Sequence, residues 1–197
     1  MSSIVGILLA AGASRRFGAD KLTQILPNGE WVAVQACRNL LAGTDSVIAV
    51  VRPDSERLTT LLQAEGAKVI ICTDAEQGMS KSLIFGIRSC PDASGWLIGL
   101  ADMPWIDPAT ITQVANALRL GAVLAAPCWQ ERRGHPVGFS KILGPELTTL
   151  TGDEGAKALI QTYLEQLQLI DCKDSGILRD IDKPEDLNLF PKVKKPS

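Results

Sequence analysis

Three basic residues follow a short apolar stretch near the amino terminus, and together they could bind phosphate groups. Ile4–Leu9 is an apolar run typical of a buried strand, and the glycine-containing loop after it carries Arg15, Arg16 and Lys21. Glycine lets the backbone bend tightly and expose N–H groups that bind anions. Open α/β sheets bind ligands directly after such strands. The pattern favours a polyphosphate site over a surface loop whose arginines are merely solvated.

The loop differs from two common nucleotide-binding sequences. Gly12 and Gly18 are six positions apart, and Lys21 is followed by Leu22 where a P-loop has serine or threonine. The G-x-G-x-x-G fingerprint is also absent from this loop. The small residues 10–12 would still let a nucleotide lie against the backbone, so we expect a nucleotide loop of another type.

Acidic residues stand at two further places that a parallel sheet could bring together. Asp102 directly follows the apolar run 96–101, and Asp180 and Asp182 share one face of an extended segment by alternation. Carboxylates suit Mg²⁺, which usually takes one or two of them plus substrate phosphates. If Asp102 and Asp182 converge, their mutual repulsion requires a cation. Two local roles are the alternatives. Asp102 could cap the turn before Pro104, and the later acidic residues could stabilise the start of a helix through its dipole.

The composition indicates a folded domain and argues against several classes of protein. The 197 residues are 46% hydrophobic, enough for a real core, and the net charge of −2 argues against nucleic-acid binding, which needs phosphate neutralisation. Five scattered cysteines form no C-x-x-C pair and His135 is the single histidine, so we expect neither a zinc site nor a disulfide framework. We expect the thiols to be reduced, and the sequence has neither a signal-peptide pattern nor an apolar run near the roughly 18 residues of a membrane span. These features predict a cytoplasmic protein without membrane contact.

Strand-like and helix-like segments alternate along the chain. Short apolar runs predict strands at 4–9, 47–51, 69–72, 96–101 and 122–126. Three- and four-residue spacing predicts helices at 31–41, 53–65, 80–88 and 108–118, with Pro53 and Pro108 as first helical residues and Asp107 as an N-cap. This rhythm predicts an α/β fold with helices on both faces of an open, mostly parallel sheet.

The last third of the chain is predicted to extend the same sheet at its edge. A strand at 137–140, a helix at 154–166 and a strand at 167–172 follow the alternating part. We therefore expect a single domain over residues 1–190 and a flexible tail at 191–197.

Six motifs occur in order between residues 4 and 187. They are Leu-Ala-Ala-Gly…Arg-Arg-Phe-Gly…Asp-Lys from Leu9, Gly-Met-Ser from Gly78, Leu-Ala-Asp-Met-Pro from Leu100, Gly-His-Pro-Val from Gly134, Gly-Asp-Glu-Gly-Ala from Gly152, and Asp-Ile-Asp-x-Pro-Glu-Asp-Leu from Asp180. Together they resemble the MobA-like nucleotidyltransferase family, and within it the molybdenum cofactor cytidylyltransferases.

The resemblance implies a Rossmann-like three-layer α/β/α fold with a mostly parallel mixed sheet, of the nucleotide-diphospho-sugar transferase type. It implies transfer of CMP from CTP to the phosphate of molybdopterin, with Mg²⁺ and release of pyrophosphate. The implied catalytic residues are Arg16, Lys21 and Asp102, and the implied metal ligands are Asp102 and Asp182. The implied nucleotide-binding residues are Leu9, Ala10, Ala11, Gly12, Ser14, Arg15, Arg16, Lys21, Met79 and Ser80, and the implied acceptor-binding residues are Arg133, His135 and Asp153.

Two positions bear on the substrates. Ala11 stands where the guanylyl branch of the family has glycine, which favours cytosine as the base, and Lys81 stands where the family has a small polar residue. The expected partners are CTP, a phosphorylated pterin and a molybdoenzyme or its chaperone. The alternatives are a guanylyltransferase that uses GTP, a sugar-phosphate nucleotidyltransferase, and, from another class, a non-catalytic protein that binds and delivers the cofactor.

Overall fold

Eight strands form one sheet in the computed structural model of the protein, which describes residues 3–12, 17, 20–151 and 155–189. The strands are β1 Ile4–Leu9, β2 Ser46–Val51, β3 Lys68–Ile71, β4 Gly95–Leu100, β5 Leu124–Trp129, β6 Arg132–Arg133, β7 Val137–Ser140 and β8 Leu167–Asp171. The helices are α1 Val32–Gly43, α2 Glu56–Ala64, α3 Met79–Arg88, α4 Pro108–Arg119, α5 Gly144–Leu147 and α6 Lys157–Thr162. Short 3₁₀ helices lie at Lys21–Thr23, Ala75–Gln77, Lys141–Leu143, Leu164–Gln166, Ser175–Leu178 and Pro184–Leu189.

The sheet is mixed but mostly parallel. Its order is β3-β2-β1-β4-β7-β5, and both β6 and β8 pair with β5. β1 to β4 are mutually parallel and β8 is parallel to β5, whereas β7 runs antiparallel to both β4 and β5. Leu9 at the end of β1 pairs with Val50 of β2 and Leu100 of β4, so these three strands end at one edge. This architecture confirms the predicted three-layer α/β/α fold.

Alternate residues of the central strands pack on opposite faces of the sheet. In β1, Ile4 and Leu8 belong to a core shared with α1, α2 and α4, whereas Val5 and Ile7 belong to a core shared with α3, α5 and α6. All four side chains are buried. Because both faces are covered, the strands are apolar throughout and do not alternate with polar residues.

Local signals located one helix correctly and misplaced another. Pro108 is the first residue of α4 and Asp107 caps it, accepting a hydrogen bond from the N–H of Ala109 at 2.8 Å, as predicted. Pro53, by contrast, is not a first helical residue. The Ser55 N–H donates to the carbonyl of Arg52 at 3.3 Å and closes a turn, so α2 begins only at Glu56.

The last third of the chain extends the sheet as expected, with a shorter helix than predicted. α6 ends at Thr162, where Tyr163 leaves helical geometry and a 3₁₀ turn follows. The predicted strand at 167–172 is β8, paired with β5 in the same sheet. The predicted tail at 191–197 lies outside the described residues, and the single-domain boundary at 190 stays a prediction. Within the described ranges, no helix is long and apolar enough to cross a membrane.

Candidate active site

Lys21 lies between two aspartates that are far apart in the sequence. Its Nζ donates to Oδ2 of Asp102 at 2.6 Å and to Oδ1 of Asp182 at 3.5 Å. The lysine side chain is only 12% exposed. Burial alone would lower the pKa of Lys21, but the hydrogen bond and charge of Asp102, followed by those of Asp182, outweigh it and raise the pKa. Lys21 is therefore a firmly protonated cation between two carboxylates.

Backbone contacts hold the two aspartates side by side. The N–H of Ile181, a fully buried residue, donates to the carbonyl of Asp102 at 2.9 Å. The carboxylate of Asp186 accepts from the N–H groups of Asp182 at 2.9 Å and Lys183 at 2.7 Å. These two bonds lower the pKa of Asp186. Asp186 thus fixes the turn that presents Asp182.

Asp180 adds negative charge to the same corner. Desolvation of its carboxyl group raises the pKa of Asp180, and the nearby charges of Asp102 and Asp182 raise it further. The predicted convergence of the acidic segments is therefore present, and among the described residues Lys21 is a cation that contacts both Asp102 and Asp182.

One oxygen of Asp102 is suited to a further ligand. Its Oδ1 is buried and has no hydrogen-bond partner within the described part of the chain. A buried carboxylate oxygen without a partner is costly, and a hard divalent cation would satisfy it. The described residues contain no cluster of three or more metal-ligating side chains. A metal here would therefore depend on the two aspartates and on substrate oxygens, as is usual for Mg²⁺.

A cleft of about 440 Å³ opens from Asp102 across the ends of β4, β1 and β2. Five residues predicted for nucleotide or metal binding line it, and six further residues complete it. The set is Leu9, Ala11, Gly12, Met79 and Asp102, with Arg52, Ala75, Glu76, Gly78, Ser82 and Leu100. A Cβ at Gly12 would meet no atom of the described residues within 4 Å, and Gly12 is exposed.

Not every predicted nucleotide-binding residue lines this cleft. Ala10 is buried, and its N–H donates to the carbonyl of Val50 at 2.9 Å. Ser80 is 1% exposed, and Ser82 lines the cleft in its place. Lys21 contacts Asp102 but is not among the lining residues. Ser14, Arg15 and Arg16 lie outside the described residues, as does the predicted acceptor residue Asp153, so their roles stay predictions.

Sequence reasoning missed Arg52, Ser82 and Asp186. Arg52 directly follows β2, as Asp102 follows β4, so the rule that found Asp102 could have found Arg52. Asp186 stands within the motif that begins at Asp180, but its contact with two backbone N–H groups appears only in the folded turn.

A second cavity, of about 230 Å³, adjoins the cleft and shares Leu9, Met79 and Leu100 with it. Its remaining lining is largely apolar, with Arg133, His135 and Lys157 as its basic residues. Burial, followed by the charge of Arg133, lowers the pKa of His135. The predicted acceptor residues Arg133 and His135 are thus close to the cleft that Asp102 lines.

A larger hollow, of about 660 Å³, lies between the start of α4 and the loop after β8. Trp105, Asp174 and Arg179 are among the residues that line it. It contains none of the residues predicted for nucleotide, metal or acceptor binding, so we do not place the reaction there.

The three-layer α/β/α fold thus carries a cleft at the carboxyl ends of β4, β1 and β2. The chain belongs to the MobA-like NTP transferase family, whose domain model matches residues 6–168. This match confirms the resemblance seen in the motifs. Asp182 lies beyond the matched segment, and its contact with Lys21 brings it to the same corner as Asp102.

Two similar proteins align with almost the whole chain. One is the purine catabolism protein PucB of Bacillus subtilis, 30% identical over 201 residues, which cover 94% of this chain and 95% of that protein. The other is nicotine blue oxidoreductase of Paenarthrobacter nicotinovorans, 26% identical over 192 residues, which cover 93% of this chain and 94% of that protein.

Solved structures agree with the fold. Rv0371c of Mycobacterium tuberculosis has a TM-score of 0.79 and 26% identity, covering 94% of this chain and 95% of its own. The same protein has been solved in complex with manganese, at a TM-score of 0.72 and 21% identity over 87% of this chain and 88% of its own. CMP:2-keto-3-deoxy-manno-octonic acid synthetase complexed with CTP has a TM-score of 0.74 and 15% identity over 94% of this chain and 95% of its own, which supports the fold alone.

Proposed function

We propose that this protein transfers CMP from CTP to the phosphate of a phosphorylated pterin, molybdopterin, and releases pyrophosphate. Membership of the MobA-like family supports nucleotidyl transfer. The choice of CTP and of a pterin acceptor comes from the motifs of the cytidylyltransferase branch and from Ala11 at the cleft. One observation carries the proposal: Lys21 bridges Asp102 and Asp182, and Asp102 lines a cleft of about 440 Å³.

Asp102 and Asp182 are the residues that would hold the divalent cation. The buried, partnerless Oδ1 of Asp102 fits this role, because it provides a carboxylate oxygen with no competing hydrogen bond within the described residues. When bound, Mg²⁺ would supply charge neutralisation for the reacting phosphates. Manganese in the complex of Rv0371c supports a divalent cation at this fold.

Lys21 and the loop after β1 would bind and orient the triphosphate. The exposed backbone at Gly12 leaves room for phosphate groups. Lys21, whose ammonium group contacts both carboxylates, would offer its positive charge to the phosphates. Its positive charge would then stabilise the pyrophosphate as negative charge builds up on it. Arg15 and Arg16 are proposed to assist from the same loop.

The reaction needs no covalent enzyme intermediate. A phosphate oxygen of the acceptor forms a bond to the α-phosphorus of CTP, and the bond from that phosphorus to the oxygen leading to the β-phosphate breaks. The electron pair leaves with pyrophosphate. The protein contributes by holding the two substrates in line and by neutralising charge.

The smaller cavity would hold the acceptor. Its apolar lining suits a planar ring system, and Arg133 and Lys157 suit an anionic group at its mouth. The cavity adjoins the nucleotide cleft through Leu9, Met79 and Leu100, so an acceptor phosphate could reach the α-phosphorus. Asp153 is proposed to contact the acceptor from the neighbouring loop.

Pyrophosphate release tests this proposal. The purified protein is incubated with Mg²⁺, each of the four NTPs in turn and either molybdopterin or a sugar phosphate, and labelled pyrophosphate is measured. We expect release with CTP that depends on molybdopterin. Release with GTP instead would favour the guanylyltransferase alternative, and release only with a sugar phosphate would favour the sugar-phosphate alternative.

A result without pyrophosphate would contradict nucleotidyl transfer altogether. Nucleotide binding with no turnover would favour a non-catalytic delivery protein. Because one relative is named an oxidoreductase, the same preparations should also be checked for NTP-independent reduction or oxidation of the acceptor.

A further inference from the structure

Arg52 projects into the nucleotide cleft from the end of β2. It lines the cleft together with Glu76, Gly78 and Ser82, and its side chain is 26% exposed. Its Nε is buried and lacks a hydrogen-bond acceptor among the described residues. The ion pair of Arg52 with the exposed Asp54 is long, with 3.5 Å between Nε and Oδ1. A buried guanidinium donor without an acceptor indicates that a ligand supplies the acceptor.

The sheet order places Arg52 at the end of the cleft away from the phosphates. β1 lies between β4 and β2, and neighbouring strands are about 4.8 Å apart, so the ends of β4 and β2 are roughly 10 Å apart. Asp102 follows β4 and Gly12 follows β1. A nucleotide with its phosphates between Asp102 and Gly12 therefore extends its ribose and base towards β2.

The chemistry of arginine restricts which base it can read. A guanidinium presents two parallel N–H donors and no acceptor, so it pairs best with two adjacent acceptors. Guanine offers O6 and N7, the commonest partner of arginine on a base edge, and cytosine offers O2 beside N3. Uracil has an N–H at the ring nitrogen between its carbonyl groups, and adenine has an amino group where guanine has O6.

We propose that Arg52 selects the nucleobase by donating two hydrogen bonds to a carbonyl oxygen and an adjacent ring nitrogen. The site thereby prefers cytosine and guanine nucleotides to those of uracil and adenine. This inference rests on the proposed function, because it assumes that the cleft holds an NTP. It adds a residue that discriminates between bases to the residues that hold phosphate and metal.

Equilibrium binding of the four NTPs tests this selection and needs no acceptor. The Kd values of CTP, GTP, UTP and ATP are measured with Mg²⁺ for the unchanged protein, for Arg52→Gln and for Arg52→Lys. We expect the unchanged protein to bind CTP or GTP at least tenfold more tightly than UTP and ATP. Arg52→Gln should reduce that ratio about 10- to 100-fold, the worth of one bidentate contact, and Arg52→Lys should retain only part of it.

Arg119→Gln is the matched control. Arg119 pairs with Asp45 at the opposite edge of the sheet, 2.8 Å away, so its loss removes one surface ion pair and should leave all four Kd values unchanged. Circular dichroism and the melting temperature check that each variant is folded.

Three outcomes would overturn the proposal. An equal loss of affinity for all four NTPs in Arg52→Gln would place the guanidinium on the phosphates. Unchanged Kd values would place it outside the site, and an unchanged protein that binds UTP or ATP as tightly as CTP and GTP would show that no such selection exists. If the Arg52-dependent preference is found but no pyrophosphate is released with any acceptor, the proposed function fails and the base selection stands. If no NTP binds, both fail.

Discussion

The Nζ of Lys21 lies 2.6 Å from Oδ2 of Asp102, so an ammonium group neutralises one oxygen of this carboxylate, while Oδ1 has no hydrogen-bond partner among the described residues. The two side chains are 12% and 20% exposed, which makes the ion pair stronger than one fully in solvent. The same lysine is proposed to bind the triphosphate. The carboxylates and the triphosphate therefore compete for Lys21. Removing its charge should strengthen metal binding at the carboxylates and weaken binding of the triphosphate.

Replacing Lys21 by Met should strengthen metal binding and weaken nucleotide turnover. Without the ammonium group, less positive charge offsets the two carboxylates, so Mn²⁺ affinity in the absence of nucleotide should rise about fivefold, equivalent to roughly 1 kcal/mol. Pyrophosphate release should fall at least about 100-fold, because charge on the leaving group is no longer offset. Electron paramagnetic resonance of free Mn²⁺ and the pyrophosphate assay measure the two effects. The exposed Lys141→Met is the control, and a Lys21 variant with lower Mn²⁺ affinity would contradict the competition.

Replacing Asp102 by Asn should abolish most turnover while leaving the fold intact. The carboxylate charge that holds the cation is lost, whereas the backbone bond from Ile181 to the carbonyl of residue 102 is unaffected. We expect pyrophosphate release to fall by at least about 100-fold, with a melting temperature within a few degrees of the unchanged protein. The exposed Asp92→Asn controls for the loss of one negative charge. Near-normal release by Asp102→Asn would remove Asp102 from the reaction.

Replacing Asp186 by Ala should weaken both the fold and the metal site. The N–H groups of Asp182 and Lys183 lose their acceptor, which costs about 1 kcal/mol, as for a lost helix cap. Because its pKa in the folded state lies below the ordinary 3.8, Asp186 stabilises the protein above about that pH, and the contribution is lost as pH falls through the lower, folded value. Urea unfolding at pH 7 and at pH 3 should therefore show a difference that shrinks in acid.

The neighbouring Glu185→Ala is the matched control for Asp186, since it removes one carboxylate from the same 3₁₀ helix. Mn²⁺ affinity should fall in the Asp186 variant and stay unchanged in the Glu185 variant. Equal effects of the two substitutions would argue for a general charge effect instead of a positioning role.

His135 should titrate below the ordinary pKa of 6.5. It is the single histidine, so its ring protons can be followed by NMR without assignment. The unfolded chain binds the proton near pH 6.5 while the folded chain does not, so stability is highest above that pH and decreases as pH falls from 6.5 towards the folded pKa. His135→Gln should remove this part of the pH dependence of the melting temperature. A midpoint at or above 6.5 in the folded protein would show that burial does not govern the ring.

Prediction from sequence succeeded where the signal is local. Asp107 and Pro108 carry both the cap and the first turn of α4 within two residues, and the structure agrees. The apolar run of β1 likewise needs only its own residues to indicate a strand covered on both faces. The prediction that Pro53 begins α2 was wrong because proline is equally common in turns, and Pro53 lies in the turn that precedes the helix.

The parts that sequence could not supply depend on contacts between distant segments. The sequence does not show whether Asp102 and Asp182 lie close together. In the structure, the hydrogen bond from the N–H of Ile181 to the carbonyl of Asp102 joins their two segments. The role of Asp186 depends on backbone N–H groups that no side-chain pattern encodes. Arg52 follows a strand, as Asp102 does, but its place next to the loop after β1 depends on the strand order, since β2 lies beside β1 although α1 separates them in sequence.

The hydrogen bond between Ile181 and Asp102 also has a consequence for folding of the protein during its synthesis on the ribosome. The glycine loop, Lys21 and the first aspartate are all synthesised well before residue 181 emerges. A nascent chain that has already folded its central strands would still lack the second carboxylate. Metal-dependent turnover should therefore begin only once that late segment has left the exit tunnel and docked.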